Sequence, residues 1–385
     1  MNISKDKKEA IARIYTWVQK TPSPYLTVGG YAGVGKTTLV SIFRKIIHKK
    51  NPKIKVAFCS FTGRAARVLS TNLKKVDAVY PKDFVGTIHS LIYSPMINSK
   101  QQITGWKLKD ELKYDLIIVD EASMVNKKIW QDLLGFSIPI IAVGDHGQLP
   151  PIEGKFNLME NPQIRLETIH RQAADNPIIK MSQYARETGQ IPVGRFGTGV
   201  EKIDKTDFDA QEKVEGILRK YSSDMIVLTG YNKTRVQINK FIREGLGFET
   251  LSPQTGDRVI CLKNNHKKGI YNGMLGYIEK INKENKDWLR AEIKMDGEEH
   301  LYEGLIYADQ FGNEQPYNFS KSRGRALGDL FDFGYGLTVH KAQGSQAKRA
   351  IVFEERFSRM DDDMWRRWLY TAVTRAEEEL FVVGN

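Results

Sequence analysis

The stretch YLTVGGYAGVGKTTLVSIFRKIIHK, residues 25–49, constrains the fold more than any other part of the chain. A short apolar run, Tyr25 to Val28, enters a glycine-rich turn, and an amphipathic run follows from Lys36 to His48. The order is strand, loop, helix. Gly30, Gly35, Lys36 and Thr37 fill the pattern G-x-x-x-x-G-K-[ST], with Gly33 inside the loop and Thr38 next on the helix. Such glycines let backbone N–H groups close on phosphates, Lys36 reaches the terminal phosphates, and the Thr37 hydroxyl suits Mg²⁺.

A second stretch, YDLIIVDEASM, residues 114–124, is an unbroken apolar strand from Leu116 to Val119 that ends in Asp120-Glu121. Strands of this kind are buried on both faces, as in a parallel sheet with helices on each side, and ligands of such sheets bind at the carboxyl ends of the strands. Asp120 is placed to hold Mg²⁺ through water, and Glu121 to orient or deprotonate an attacking water. The other reading is a cap for a helix starting near Ala122, which accounts for one carboxylate only. A GTPase would need N-K-x-D, but Asn232-Lys233 is followed by Arg235 where the Asp should stand. Small-molecule kinases are usually shorter, with a single such domain.

In a third stretch, IIAVGDHGQLPPI, residues 140–152, an apolar strand ends in Gly-Asp and a neutral glutamine follows, stiffened by two prolines. A buried strand needs no such amide. Gln148 suits a sensor, because it can donate to a phosphate oxygen without the permanent attraction of a lysine.

With 385 residues, 41% hydrophobic and 27% charged, the chain can build two cores and a smaller unit. Its formal charge of +12 favours an anionic partner. Cys59 and Cys261 have neither metal-ligand spacing nor a disulfide framework and read as core thiols in a reducing compartment. No apolar run is long enough to span a membrane, and the start MNISKDKKEA lacks a signal-peptide core, so a cytoplasmic setting is expected.

Strands recur in the second half, at LETIHRQ, Met225 onward, RAIVFEE and ELFVVG, forming a second α/β domain without its own phosphate loop. The helix after Asp361, Asp362 and Asp363 reads as one capped by those aspartates rather than as a metal site. It ends at Thr374-Arg375, where an arginine presented across a cleft could stabilise transition-state charge. Between about residues 250 and 325, short alternating runs with Asn272-Gly273 and Asp296-Gly297 as two-residue turns suggest a small all-β insert.

Taken in order, GGYAGVGKTTL, CSFTGRAARVL, GTIHSLIY, IIVDEASM, VGDHGQLPPI, LETIHRQ, GYGLTVHKAQGSQ and LYTAVTRA resemble the motifs of superfamily 1 class B helicases, in the RecD-like and phage Dda-like branch. The resemblance covers nearly the whole chain. It implies an α/β fold of two RecA-like P-loop parallel-sheet domains, 1–155 and 156–250 with 326–385, carrying a hairpin insert near 91–112 and an SH3-like β-barrel insert at 251–325. It implies ATP-dependent, 5′-to-3′ movement on single-stranded DNA and unwinding of forked duplex DNA, with ATP and Mg²⁺ between the domains.

Residue by residue, the resemblance puts Lys36, Gln148, Arg171 and Arg375 on the γ-phosphate, with Gln343 and Gly344 beside the two arginines, and makes Glu121 catalytic. Thr62, Arg64, Thr87, His89 and Pro150 would meet the strand on the first domain, and Thr338 and His340 on the second. Expected partners include single-strand-binding, replication and repair proteins, with the chain itself a monomer. Two features stand apart. The family's adenine-reading glutamine is replaced by Lys7, which implies relaxed nucleotide choice, and Trp106 near the hairpin is either a strand-separating wedge or a packing residue. A translocase that does not unwind and an RNA helicase are the alternative readings.

Overall fold

The computed structural model describes residues 4–97, 103–151, 156–168, 175–265, 268–298, 301–317 and 328–385. Two compact units emerge, residues 1–94 with 107–186, and residues 95–106 with 187–385. In the first, α1 (Lys5–Lys20) precedes β1 (Tyr25–Gly30), α2 (Lys36–Lys50), β2 (Val56–Ser60), α3 (Gly63–Lys75), β3 (Phe84–Thr87) and α4 (Ile88–Ile92). Next in chain order come β4 (Tyr93–Ile97) and β5 (Ile103–Leu108), a two-stranded sheet most of which belongs to the second unit, and then, again in the first, β6 (Leu116–Asp120), α5 (Lys127–Leu134), β7 (Ile140–Gly144), β8 (Ile164–Leu166) and α6 (Pro177–Glu187).

The main sheet has the order β3-β2-β6-β7-β1-β8, and every pairing in it is parallel. Its strands read as unbroken apolar runs because both faces are covered. Along β2, Val56 and Phe58 join a core with Phe43 of α2, Trp17 of α1 and Leu73 of α3; Ala57 and Cys59 join another with Trp130 and Leu133 of α5. The period of two assigns alternate residues to opposite faces. Register then fixes the site: Gly29 stands opposite Gly144, and Ser60 opposite Asp120, so the loops after β1, β7 and β6 leave from one end of the sheet.

LETIHRQ does not open a second sheet. Leu166 ends β8 and pairs with Gly30, so the first sheet continues past residue 155. Deep in this unit Arg44 forms a bidentate pair with Asp83, both side chains at 0% exposure.

The second unit contains β9 (Gly194–Gly197), β10 (Val200–Asp204), α7 (Ala210–Leu218), β11 (Met225–Thr229) and α8 (Asn232–Gly245). After them come β12 (Arg258–Cys261), β13 (Leu275–Lys283), β14 (Trp288–Met295), β15 (Leu301–Tyr307), β16 (Phe331–Phe333), β17 (Gly336–Thr338), β18 (Ala347–Phe353), α9 (Asp362–Val373) and β19 (Ala376–Gly384). A six-stranded sheet, β17-β11-β18-β19-β10-β9, is parallel except for the β9–β10 pair. A separate antiparallel sheet, β15-β14-β13-β12-β16, closes over Val259, Ile278, Ile293 and Phe331.

Two turn expectations are corrected here. Gly273 and Gly297 have φ of 90° and 88°, as turn glycines do, yet neither pair forms a minimal two-residue connection. Asn265 and Ile270 form an extra bridge before Asn272, and Asp296-Gly297 begins a longer link from β14 to β15. Asp361 caps α9, accepting from the Met364 N–H at 2.8 Å, while Asp362 and Asp363 pair with Arg356 and Arg367. Among the described residues no helix is long and apolar enough to cross a membrane.

Candidate nucleotide site

The loop after β1 is held open by its own packing. Val34 is fully buried, and a Cβ on Gly30 would lie 2.7 Å from a Val34 methyl, so only glycine fits there. Gly33 and Gly35 take φ of 81° and 80°, and α2 starts at Lys36 directly after the second. The helix N-terminus thus opens toward the loop with its unpaired N–H groups and positive dipole end. Thr37 and Thr38 are half-buried in its first turn. Lys36 folds back, donating from Nζ to Gly30 O at 2.7 Å and Tyr31 O at 3.2 Å, with Asp145 Oδ2 at 3.6 Å.

The acidic pair sits at the end of β6. Burial, the neighbouring Glu121 and, in opposition, Lys36 together push the Asp120 carboxyl up to about 7. Glu121 takes φ of 54°, and its Oε2 is buried with no hydrogen-bond partner among the described residues. The helix-cap reading fails. The short 3₁₀ turn at Ala122–Met124 receives no side-chain cap from Glu121, and α5 is capped by Asn126, whose Oδ1 accepts from Ile129 N–H at 3.0 Å.

The loop after β7 brings the third element. Gln148 is 5% exposed and donates from Nε2 toward Asp145 Oδ2 at 3.5 Å, while Asp145 Oδ1 accepts from Gly147 N–H at 2.9 Å. Asp145 had drawn no role from the sequence. Its signal was present, a charged residue directly after a fully apolar strand at the ligand end of a parallel sheet. Nearby, the Tyr31 ring packs 4.2 Å from that of His146, and the Arg186 guanidinium lies 4.0 Å over Tyr31.

Of the residues expected to meet a strand, Thr62 and Arg64 follow β2, and Thr87 and His89 lie where the neighbouring β3 ends, with Ser60 opposite Thr87 and the Phe61 ring 6.3 Å from that of His89. Thr62 caps α3 by accepting from Ala65 N–H at 3.2 Å, and Thr87 caps α4 in a reciprocal box with Ser90. Arg64, His89 and Pro150 are half-buried in the same unit, with the His89 ring 5.6 Å from that of Tyr93. Thr338 ends β17, and burial holds the His340 imidazole below its ordinary range. Trp106 lies half-buried on β5; the connection between β4 and β5 lies outside the described residues, as does Arg171.

Arg375 is held by partners within its own unit. It is 2% exposed, and its guanidinium donates to Thr371 O at 2.9 Å, Ser345 O at 3.2 Å and Thr374 Oγ1 at 3.1 Å. Carbonyls in the last turn of a helix have no helical partner, and Arg375 supplies donors to one of them. Gln343 is also buried, next to Gly344, whose φ is 71°.

Residues 6–207, more than half of the chain, match the AAA domain family. The chain belongs to that family. Residues 333–383 match the UvrD-like helicase C-terminal domain. The ATP-dependent RecD2 DNA helicase of Deinococcus radiodurans is 27% identical over 92% of this chain and 46% of its own length. The chain therefore spans about half of that relative. The ATP-dependent DNA helicase Pif1 of Campylobacter jejuni is 26% identical, covering 91% of this chain and 86% of its own. Among solved structures, Bacteroides Pif1 bound to single-stranded DNA shares the fold with a TM-score of 0.52 at 19% identity, over 99% of this chain and 92% of that one. These matches bear out the resemblance to superfamily 1 class B helicases read from the motifs.

Proposed function

We propose that the chain is an ATP-driven motor that moves 5′ to 3′ along single-stranded DNA and unwinds duplexes ahead of it. One convergence carries this reading. The phosphate loop, the Asp120-Glu121 pair and the Gln148 loop leave the same end of one sheet, in a chain that aligns over 91% to 92% of its length with proteins named as ATP-dependent DNA helicases.

ATP fits the loop of Gly30, Gly33 and Gly35, where a side chain at Gly30 would clash, and Lys36 neutralises phosphate charge. Two adjacent carboxylates near one ammonium, with a Glu121 oxygen that has no hydrogen-bond partner among the described residues, fit a site that also takes Mg²⁺ through Thr37 and Asp120. Bound there, the ion supplies charge neutralisation for the phosphates. Glu121 Oε2 accepts a proton from the attacking water, and Gln148 donates its amide hydrogen to the phosphate it senses.

Strand binding is assigned to Thr62, Arg64, Thr87, His89 and Pro150 of the first unit and to Thr338 and His340 of the second. With a formal charge of +12, affinity should fall with salt at a slope of about −0.7 per neutralised phosphate. Forked duplexes with a 5′ tail, a 3′ tail or an RNA tail test the reading. ATP-dependent separation of the 5′-tailed DNA is expected. Separation of the 3′-tailed fork alone would overturn the polarity, a preference for RNA tails would overturn the substrate, and hydrolysis without any separation would leave a translocase.

A further inference from the structure

The carboxyl end of the second unit's parallel sheet carries an open aromatic pair. β11 lies between β17 and β18, with Thr229 opposite Thr338 and Leu228 opposite Val352, so these three strands end side by side. Just beyond β11, Tyr231 is 43% exposed, and the Phe357 ring stands edge-on to it, centroids 4.9 Å apart at 73°. A ring this open is nonetheless fixed. Its hydroxyl donates to Arg356 O at 2.9 Å, and at its other end the Tyr231 and Gly230 N–H groups each donate to Glu355 Oε2 at 2.8 Å. A short aromatic side chain held at both ends gives contact area with little rotamer freedom left to lose on binding.

The charges around the pair are sorted by sign. The Glu355 carboxylate accepts from those two N–H groups and from the Thr234 hydroxyl, Asp361 caps α9, and Asp362 and Asp363 pair with Arg356 and Arg367. The anions are thus neutralised within the protein. Lys233 and Arg359, each two residues beyond one of the rings, are exposed and have no ion-pair partner among the described residues. An open π-face between open cations fits an unstacked base with a phosphate on either side, and it fits any base, since each has a π-face. A base paired and stacked inside a duplex has no free face to offer.

We propose that Tyr231, braced by Phe357, is a stacking platform for one base of single-stranded DNA, with Lys233 and Arg359 on the neighbouring phosphates. This rests on the reading of the chain as a single-strand motor and adds a base contact beside Thr338, at the end of the adjacent strand. No covalent bond changes.

Binding of a labelled deoxythymidine oligonucleotide, and of a fully abasic strand of the same length, is measured by fluorescence anisotropy with the full chain. Tyr231→Ala should bind the deoxythymidine strand about 5- to 100-fold more weakly than the wild type, and Tyr231→Phe, which keeps the ring, within about threefold of it. The wild type should prefer the deoxythymidine strand to the abasic one, and Tyr231→Ala should lose most of that preference. Lys233→Ala and Arg359→Ala should each lower the salt slope by about 0.7. Tyr231→Leu, apolar but without a π-face, should match the alanine variant and serves if that variant does not fold.

Wild-type affinity in a folded Tyr231→Ala overturns the proposal. So does a loss of equal size on the abasic strand, or one shared by Tyr231→Phe together with a lower unfolding midpoint, because the ring would then serve the fold alone. Should the folded wild type bind neither strand, the single-strand reading itself falls, and the platform with it.

Discussion

Glu121 follows Asp120 with a φ of 54°, in the left-handed region, and its N–H donates to Asp120 Oδ1 at 3.0 Å. A residue other than glycine held there costs roughly 1 to 3 kcal/mol, and such strain collects at working sites. The turn leaves Glu121 Oε2 buried and without a hydrogen-bond partner among the described residues. Glu121→Gln should therefore lower ATP hydrolysis by about 10²- to 10⁴-fold while leaving nucleotide affinity nearly unchanged. Rapid-quench turnover beside equilibrium binding checks this. Parallel loss of both would reduce Glu121 to a structural role.

Lys7 is 1% exposed on α1, and its Nζ has no hydrogen-bond partner among the described residues. Burial lowers its proton affinity, and Asp6 partly opposes that. A donor-only side chain stands where the family carries a glutamine, which can both donate to and accept from a base. Turnover of ATP, GTP and CTP should lie within about threefold of one another, and Lys7→Gln should shift preference toward ATP. Strict ATP use by the wild type would reject the idea.

Arg44 and Asp83 are a fully buried pair, and Asp83 also accepts from the N–H groups of Val56 and Tyr80. Removing only the cation strands the anion. Arg44→Ala should lower the unfolding free energy by about 3 to 5 kcal/mol. Urea titration measures it; a loss comparable to that of an exposed ion pair would contradict the burial seen here.

Lys341 is held below the ordinary lysine range, at about 8, by burial first and Arg235 second, with Asp332 opposing. Between about pH 8 and pH 10 the unfolded chain retains a proton that the folded chain has released, so this lysine adds stability as pH rises through that window. Below it, both forms are charged and the folded form bears the burial cost. Lys341→Met should then stabilise the protein by about 1 to 3 kcal/mol at pH 7, with a gain that shrinks toward pH 10. Denaturation of both proteins at pH 7 and pH 9.5 checks the trend. A pH-independent difference would refute it.

The parts legible in the sequence are those whose causes are local. The glycine loop, the apolar strand ending at Asp120 and the cap at Asp361 each need only neighbouring residues, and each forms as expected. Features built by distant residues were hidden. β8 is three residues long and exists because β1 offers it an edge. Asp83 gains its role from Arg44, thirty-nine residues away. Asp145 looked like the end of a strand until Lys36 was found beside it. The carbonyls of Thr371 and Ser345 that accept from the Arg375 guanidinium are likewise visible only in the fold.

The central claim is a strand-driven motor whose nucleotide site is coupled to the loop of Gln148. Its most direct test is steady-state ATP hydrolysis with and without single-stranded DNA, for the wild type and Gln148→Ala. Strong stimulation in the wild type that collapses in the variant is the predicted result. No stimulation of a folded, nucleotide-binding wild type would contradict the account.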